Sequence, residues 1–171
     1  MSELNIVDIA TSAMRAVNAT LKIMCSLVIA DMPSVLKKEI IRAQIFAREG
    51  TFSSAVMFKQ GQGGTRGGIV VYVSSQNIAS VFGNLGIGSD SSESEIKDAC
   101  GEFCNVIAGT FKTEISALGF KDVTLTPPTN YFGTIDEDLE IDAVYKYAIS
   151  FSHGNAGLLM VDIFIEKQSS S

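Results

Sequence analysis

Residues 92–109 read Ser92-Glu-Ser-Glu95-Ile-Lys-Asp98-Ala-Cys-Gly-Glu102-Phe-Cys-Asn105-Val-Ile-Ala-Gly109, and this stretch predicts the start of a long helix. Ser92 followed three residues later by Glu95 is a capping box, in which the serine hydroxyl satisfies a backbone N–H of the first turn. The helical spacing continues to Leu118, and Gly119 then takes the C′ position, where a left-handed backbone favours glycine. We therefore expect one helix over residues 93–118.

The side chains of this helix divide into an apolar stripe and a polar ridge when they are placed at about 100° per residue. The apolar stripe, which we expect to pack on a sheet, consists of Ile96, Cys100, Phe103, Cys104, Ile107, Phe111 and Leu118. The polar ridge lies on the opposite side and consists of Asp98, Glu102, Asn105 and Gly109. A carboxylate and a carboxamide, Glu102 and Asn105, are therefore expected to project together into solvent.

Two glycines interrupt the interior of the helix, although each costs roughly 1 kcal/mol there relative to alanine. Gly109 lies on the polar ridge, where the close approach of a partner is the favoured explanation. For Gly101, the close approach of a partner and internal packing are equally supported. Cys100 and Cys104 are interpreted as small buried hydrophobic side chains.

Further helices and strands are predicted on both sides of this helix. Before it, apolar residues at spacings of three and four predict an amphipathic helix from about Asn5 to Ala30, ended by Asp31 and Pro33. Residues 34–50 are ambiguous, and we interpret them as a short helical turn followed by an edge strand at 40–48. The other predicted elements are a hairpin of strands 52–59 and 68–74, a short helix over 76–85, an acidic loop holding Glu137, Asp138, Glu140 and Asp142, two closing strands over 143–152 and 157–166 joined through His153-Gly154-Asn155, and a polar tail at 168–171.

These elements predict an α+β fold, with an antiparallel sheet and long helices packed across one of its faces. The chain has 171 residues, and no break in composition divides it. We therefore expect a single domain over residues 1–171.

Composition and charge exclude several classes of protein. A hydrophobic content of 46% supplies a core and argues against a disordered chain. The net charge of −6 disfavours a nucleic-acid binder, which needs a basic surface, and it equally disfavours attachment to an anionic membrane. The sequence shows no signal peptide and no apolar stretch of about 18 residues, so we expect a cytoplasmic protein.

Cysteine and histidine are too scarce for several chemistries. Three cysteines are an odd set for a disulfide framework, and Cys100 with Cys104 lacks the second pair of ligands that a zinc site needs. His153 is the only histidine and lies at the end of a predicted strand, so a Ser-His-Asp or Cys-His mechanism has little support. We predict no metal or cofactor of the chain's own, and unpaired cysteines fit a reducing compartment.

The run from Asp98 to Gly109, with Pro128 following Asn105 after 22 intervening residues, resembles the signature of the CheC/CheX/FliY chemotaxis phosphatases. That signature is Asp or Ser, three residues, Glu, two residues, Asn, and a Pro at this distance, and all four fixed positions are met. The likeness extends over residues 67–130 and implies a CheC-like two-layer fold. Cys104 stands where family members often have glycine, and we expect it to alter packing rather than chemistry.

The resemblance implies a phosphatase that hydrolyses the phosphoryl-aspartate of a CheY-type response regulator. In this interpretation Asn105 positions the attacking water, and Glu102 accepts a charge-assisted hydrogen bond from the partner's active-site lysine. The Mg²⁺ is expected on the response regulator and not on this chain. Asp98 either orients the ridge or complements the helix N-terminus, Gly109 gives the partner access, and Pro128 braces the segment beside the helix.

The number of motifs distinguishes the members of this family. CheC and FliY carry two copies, whereas CheX carries one. The nearest second copy here is Thr11-x-x-x-Arg15-x-x-Asn18, in which arginine replaces the glutamate. The single motif indicates the CheX type, whose members are homodimers, and the predicted edge strand at 40–48 is a candidate interface.

Two other functions remain open at the level of sequence. One is a non-catalytic module of the same fold that binds a receiver domain or a flagellar switch component, and the other is an unrelated small α+β binding module. The intact pair of Glu102 and Asn105 argues against the first of these. The joint match of motif, spacing and flanking segments argues against the second.

Overall fold

The computed structural model describes residues 6–27, 34–61, 64–153 and 156–166. Its elements, in chain order, are helix α1 (Ile6–Cys25), strands β1 (Ser34–Ala47), β2 (Thr51–Gln60) and β3 (Arg66–Ser74), helix α2 (Ile78–Phe82) between 3₁₀ turns at Ser75–Asn77 and Gly83–Leu85, helix α3 (Glu93–Ala117), and strands β4 (Val123–Leu125), β5 (Thr129–Phe132), β6 (Ile135–His153) and β7 (Ala156–Glu166). The predicted helix end at Asp31 and Pro33, the turn at Gly154-Asn155 and the tail at 168–171 lie outside the described residues. None of the described helices is long and apolar enough to cross a membrane.

The strands form an antiparallel sheet in the order β1-β6-β7-β3-β2-β4, and β5 pairs with another part of β2. The helices pack on one face of this sheet, where their apolar side chains join those of alternate strand residues in the larger hydrophobic core. Because side chains alternate between the two faces of a strand, Phe52, Val56 and Phe58 of β2 face the helices. The predicted α+β fold, with helices across one face of an antiparallel sheet, is confirmed.

The apolar stripe of α3 is buried as predicted, except at its last residue. The buried side chains are those of Ile96, Cys100, Phe103, Cys104, Ile107 and Phe111. The Phe103 ring meets Phe82 of α2 edge-on, with 5.5 Å between the ring centroids. Leu118 is 43% exposed, because the helix ends one residue before it and the chain turns. Phe120 packs against the core instead, so it covers the end of the helix in place of Leu118.

Both ends of α3 carry the predicted caps. The Ser92 hydroxyl accepts a hydrogen bond from the Glu95 backbone N–H at 3.1 Å. At the other end, Gly119 has φ of 102°, a left-handed conformation that favours glycine. The Gly119 N–H donates to the Ser116 carbonyl at 3.0 Å, and the Phe120 N–H donates to the Ile115 carbonyl at 3.0 Å. These two hydrogen bonds form a Schellman motif. The caps therefore fix where the helix begins and ends.

Replacing Ser92 by alanine is expected to lower the free energy of unfolding by about 1 kcal/mol, because the N-cap loses its acceptor. Ser94 is a matched control, since it is exposed in the first turn of the same helix. Ser94→Ala should leave the free energy of unfolding unchanged or raise it slightly, because alanine favours the helix. Urea unfolding followed by circular dichroism measures both values. Equal losses in the two variants would contradict the capping role.

Residues 34–50 differ from the prediction in their first part. β1 begins at Ser34, so the short helical turn expected before the edge strand is wrong. β1 pairs with β6 through both parts of its length, and no other strand among the described residues pairs with it, which confirms the edge strand predicted at 40–48. The long antiparallel partner supplies backbone hydrogen bonds that a local sequence pattern does not reveal.

The acidic segment that the sequence predicts as a loop is instead the first part of β6. Asp136, Glu137 and Asp138 pair with β1 residues 44–46, and their side chains are exposed. Charged side chains are tolerated in this strand because they reach solvent. The sequence also overestimates the first helix, which ends at Cys25 rather than near Ala30, and it does not predict the short strands β4 and β5.

The end of the β1–β6 ribbon folds over the face of the sheet opposite the helices. Ile45 of β1 and Ile141 of β6 belong to one buried cluster with Ala55, Val70 and Phe164 of strands β2, β3 and β7. In a flat sheet β1 and β2 would lie roughly 19 Å apart, at about 4.8 Å per strand. Their side chains nevertheless meet in this cluster, so the ribbon curls over the sheet. Its register shifts between residues 42 and 44, and irregularities of this kind bend strands. Part of the second face is thus covered by the sheet itself.

Candidate functional site

The polar ridge stands on the outer side of α3, as predicted. Asp98, Glu102 and Asn105 are exposed, and Gly109 is half-buried one turn further along the helix. Within the part of the chain that the structure describes, the three polar side chains make no hydrogen bond or ion pair. Glu102 and Asn105 therefore present a free carboxylate and a free carboxamide to solvent, one helical turn apart.

The surface above the ridge is open. A Cβ atom built on Gly109 would meet no atom within 4 Å beyond its chain neighbours and the nearby backbone of its own helix, so the glycine leaves space rather than relieving an internal clash. A helix without a side chain at this position allows another backbone to approach closely. The explanation offered for Gly109 from the sequence, access for a partner, remains a prediction that this geometry permits.

Helix α1 carries the incomplete copy of the motif beside α3. Its Arg15, which stands where a glutamate would be needed, forms an ion pair with Glu114 of α3 at 3.7 Å. Asn18 is exposed on the same helix. The α1 surface thus presents a cation directed to α3 in place of a free carboxylate.

A cluster of four residues lies beneath the ridge and fixes α3 on the sheet. This anchor cluster consists of Ser54 on β2, Gly101 and Cys104 on α3, and Asn130 on β5. The Ser54 hydroxyl donates to the Asn130 side-chain carbonyl at 2.8 Å. A Cβ atom at Gly101 would lie 2.6 Å from both terminal atoms of the Asn130 carboxamide. A side chain at this position would displace the Asn130 carboxamide, so the glycine serves internal packing, which answers the question that the sequence left open at Gly101.

Cys104 joins the anchor cluster from the buried side of the helix. It is fully buried, and its thiol donates to the Ser54 backbone carbonyl at 3.4 Å. Burial raises the pKa of the Cys104 thiol to about 12, and that of Cys100 to about 12 as well. Both thiols are protonated at neutral pH, so they are not nucleophiles. The interpretation of these cysteines as small buried side chains is confirmed.

Pro128 stands apart from the ridge, in the segment between β4 and β5. It is half-buried and immediately precedes β5, the strand that brings Asn130 against the helix. Because proline fixes its own φ and restricts the residue before it, this segment enters β5 with little freedom. The structure thus brings Asp98, Glu102, Asn105 and Gly109 together on one helix and places Pro128 outside the ridge, immediately before β5.

Sequence reasoning does not identify Ser54 or Asn130. The one signal for them is Gly101, whose cost in the middle of a helix indicates that something lies against the backbone there. Among the described residues, no group of three or more His, Cys, Asp or Glu side chains is arranged to hold a metal ion.

A family model matches the part of the chain that contains the motif. The family model described as "Chemotaxis phosphatase CheX" matches residues 54–151, which include the whole of α3 and the anchor cluster. No curated protein matches the sequence of the chain significantly.

Solved structures share the fold over nearly the whole chain at low sequence identity. A CheC-like superfamily protein from Shewanella sp. PV-4 aligns with a TM-score of 0.71 and 20% identity, over 96% of this chain and 100% of the other. The chemotaxis protein CheX from Vibrio vulnificus gives a TM-score of 0.69 and 21% identity, over 93% and 99%. A CheX–CheY–BeF₃–Mg²⁺ complex from Borrelia burgdorferi gives 0.65 and 20%, over 94% and 99%.

Proposed function

The chain belongs to the CheX family of chemotaxis phosphatases, and on that basis we propose that it hydrolyses the phosphoryl-aspartate of a CheY-type response regulator. The observation that carries the proposal is the exposed pair of Glu102 and Asn105, which has no partner among the described residues and stands on a capped, anchored helix. The Borrelia relative was solved as a complex with CheY, which supports a receiver domain as the partner.

The reaction needs little from the chain beyond the placement of water. A phosphoryl-aspartate is an activated acyl phosphate, and attack of a water oxygen on phosphorus breaks the bond between phosphorus and the aspartate oxygen. The products are the aspartate carboxylate and inorganic phosphate, and the phosphate keeps both protons of the water. No strong general base is therefore required, which suits a side chain that cannot serve as one.

We assign the positioning of this water to Asn105. Its amide accepts through the oxygen and donates through the nitrogen, so it can hold a water molecule in a defined orientation. Holding the nucleophile in line with the bond that breaks lowers the entropic part of the barrier. The Mg²⁺ that neutralises the phosphoryl oxygens is expected on the response regulator.

We assign docking to Glu102. An ionised carboxylate accepts a strong hydrogen bond from a cation, and the active-site lysine of the receiver is the proposed donor. Glu102 and Asn105 share one side of the helix, so a docked Glu102 brings Asn105 over the same pocket. This arrangement inserts the ridge into the receiver as a single rigid element.

Asp98 is proposed to act on the ridge rather than on the helix terminus. It lies in the second turn of α3, whereas Glu93 and Glu95 occupy the first turn. The effect of the helix dipole falls off within one turn, so a carboxylate at Asp98 gains little from it. Its position one turn before Glu102 lets it shape the electrostatic surface that the receiver meets.

The function is tested by phosphate release from a CheY-type receiver supplied continuously with a small-molecule phosphodonor. Addition of the protein should raise the steady rate of phosphate release in proportion to its concentration. Binding to the phosphorylated receiver without a change in rate would instead indicate the non-catalytic module of the same fold. If the protein neither binds nor accelerates dephosphorylation of any receiver encoded in the same genome, the proposal is wrong.

A homodimer formed through β1 is also proposed. β1 is an edge strand, and an exposed edge offers unpaired backbone groups to a second copy. Sedimentation equilibrium at micromolar concentration should therefore give twice the mass of the chain. A monomer under these conditions would contradict the dimer while leaving the phosphatase proposal intact.

The compartment follows from the proposed partner. Response regulators of this kind act in the cytoplasm, and we propose the same location for this chain. The three free cysteines are in keeping with a reducing environment.

A further inference from the structure

We propose that Asn130 is a positioning residue for the phosphatase reaction, and that its carboxamide, seated against Gly101 and held by Ser54, orients the Asn105 carboxamide one helical turn away. This inference rests on the proposed function. It concerns a residue outside the sequence motif, on a different element of the fold from the polar ridge.

The geometry of the helix places Asn105 over the Asn130 contact. Gly101 and Asn105 are four residues apart, so they occupy the same side of α3 in successive turns. In a helix each Cα–Cβ bond tilts toward the N-terminus, so a side chain covers the surface of the preceding turn. Helix geometry therefore directs the Asn105 side chain toward the turn that contains Gly101, and the Asn130 carboxamide lies against that turn.

The absence of a side chain at Gly101 is what makes this arrangement possible. Both terminal atoms of Asn130 would lie 2.6 Å from a Cβ atom at that position, well inside van der Waals contact. The Asn130 amide thus fills the place of the missing side chain, one helical turn before Asn105. In our proposal its presence there limits the rotamers that Asn105 can adopt.

Ser54 holds the Asn130 carboxamide in place. The two residues are direct cross-strand partners in the β2–β5 pairing, so their side chains stand on the same face of the sheet. Ser54 is fully buried, and its hydroxyl donates to the Asn130 carbonyl oxygen at 2.8 Å. The Ser54 backbone carbonyl also accepts a hydrogen bond from the Cys104 thiol. Ser54 therefore contacts both β5, through Asn130, and α3, through Cys104.

Three variants test the inference. Asn130→Ala removes the carboxamide, Ser54→Ala removes only its hydrogen bond, and Gly101→Ala displaces it. Each is expected to lower kcat, by about tenfold for Asn130→Ala and Gly101→Ala and less for Ser54→Ala, because small misplacements of a reacting group are costly. The receiver concentration at half-maximal rate should not change, since Glu102 is untouched.

The double variant Gly101→Ala with Asn130→Ala separates positioning from simple crowding. In this double variant the alanine at position 101 no longer clashes with residue 130, but the Asn130 carboxamide is absent. We expect the double variant to be no slower than either single variant and not to recover the wild-type kcat, because both changes act through one contact. Recovery of the wild-type kcat would mean that only the clash matters, which would overturn the positioning role.

Controls and a second readout guard against effects of folding. Thr129→Ala alters an exposed residue of the same strand, and Gly83→Ala adds a side chain in open space, so both should keep the wild-type kcat. Independently of activity, the Asn105 side-chain amide resonances in a ¹⁵N–¹H spectrum should shift in Asn130→Ala and not in Thr129→Ala.

The outcomes distinguish this inference from the proposed function. A wild-type protein without phosphatase activity would overturn the proposed function, and the inference with it. An active wild type whose Asn130→Ala variant keeps full kcat and an unshifted Asn105 resonance would overturn the inference alone. If Asn130→Ala or Gly101→Ala loses thermal stability as well as kcat, the kcat of Ser54→Ala decides, because that variant leaves the packing volume nearly intact. A wild-type kcat in Ser54→Ala would then overturn the inference.

Discussion

Replacing Asn105 by alanine is expected to lower the acceleration of receiver dephosphorylation about 100-fold, while binding of the receiver stays close to that of the wild type. The alanine cannot hold a water molecule, and the Glu102 carboxylate, to which we assign docking, is unchanged. Because Asn105 is exposed and makes no hydrogen bond to the described residues, the free energy of unfolding should change by less than about 0.5 kcal/mol.

Asn18→Ala is the matched control for this variant. Asn18 is also an exposed asparagine on a helix of the same layer, and it belongs to the incomplete motif of α1. We expect Asn18→Ala to keep the wild-type rate, because the arginine in that motif offers no docking carboxylate. The decay of a radiolabelled phosphoryl-receiver measures both variants. Full activity of Asn105→Ala would contradict the assignment of the water to this residue.

Replacing Glu102 by lysine is expected to weaken binding of the phosphorylated receiver by about 10- to 100-fold. Loss of a charge-assisted hydrogen bond costs about 1.5–3 kcal/mol, and a lysine here also meets the partner's lysine with like charge. Glu102→Gln keeps the shape and removes only the charge, so it should fall between the lysine variant and the wild type. Isothermal titration with a beryllofluoride-activated receiver gives the affinities.

Glu49→Ala is the control for Glu102, because it removes an exposed carboxylate from the turn between β1 and β2. Its receiver affinity should equal that of the wild type. The difference between Glu102→Gln and the wild type should also shrink as salt is added, since screening weakens an exposed charge pair. Equal affinities for wild type and Glu102→Lys would show that docking does not use this carboxylate.

The sequence predicts the helix that carries the ridge, because the residues that specify this helix lie within it or directly beside it. The serine cap at residue 92, the glycine at 119 and the helical spacing between them specify the element without reference to the rest of the chain. Placement of Glu102 and Asn105 on the exposed side follows from the same spacing. Only Leu118 departs from it, because the helix ends before that residue.

The strands are harder to predict where their pairing partners lie far away in the sequence. Glu137 reads as part of a polar loop, yet it pairs with Ile45 of β1, ninety-two residues earlier. The folding of this ribbon over the second face of the sheet depends on contacts between β1 and strands that are not its neighbours. Neither the pairing nor the bend leaves a periodic pattern in the chain.

The anchor cluster shows the same limit at the site. The sequence identifies Gly101 as an anomaly, but it cannot say that Asn130 fills the space or that Ser54 holds Asn130. Those relations arise only when β2, β5 and α3 are packed together. The spacing from Asn105 to Pro128 locates the residue that immediately precedes β5, but it does not reveal the contacts that β5 makes with the helix.

The decay of purified phosphoryl-receiver at increasing concentrations of wild-type protein tests the central claim most directly, with binding measured on the same samples. Phosphatase activity predicts that the decay rate rises with protein concentration and saturates at the concentration at which binding saturates, and that one molecule of protein dephosphorylates many receivers. A decay rate that stays at its spontaneous value while the receiver is fully bound would contradict it.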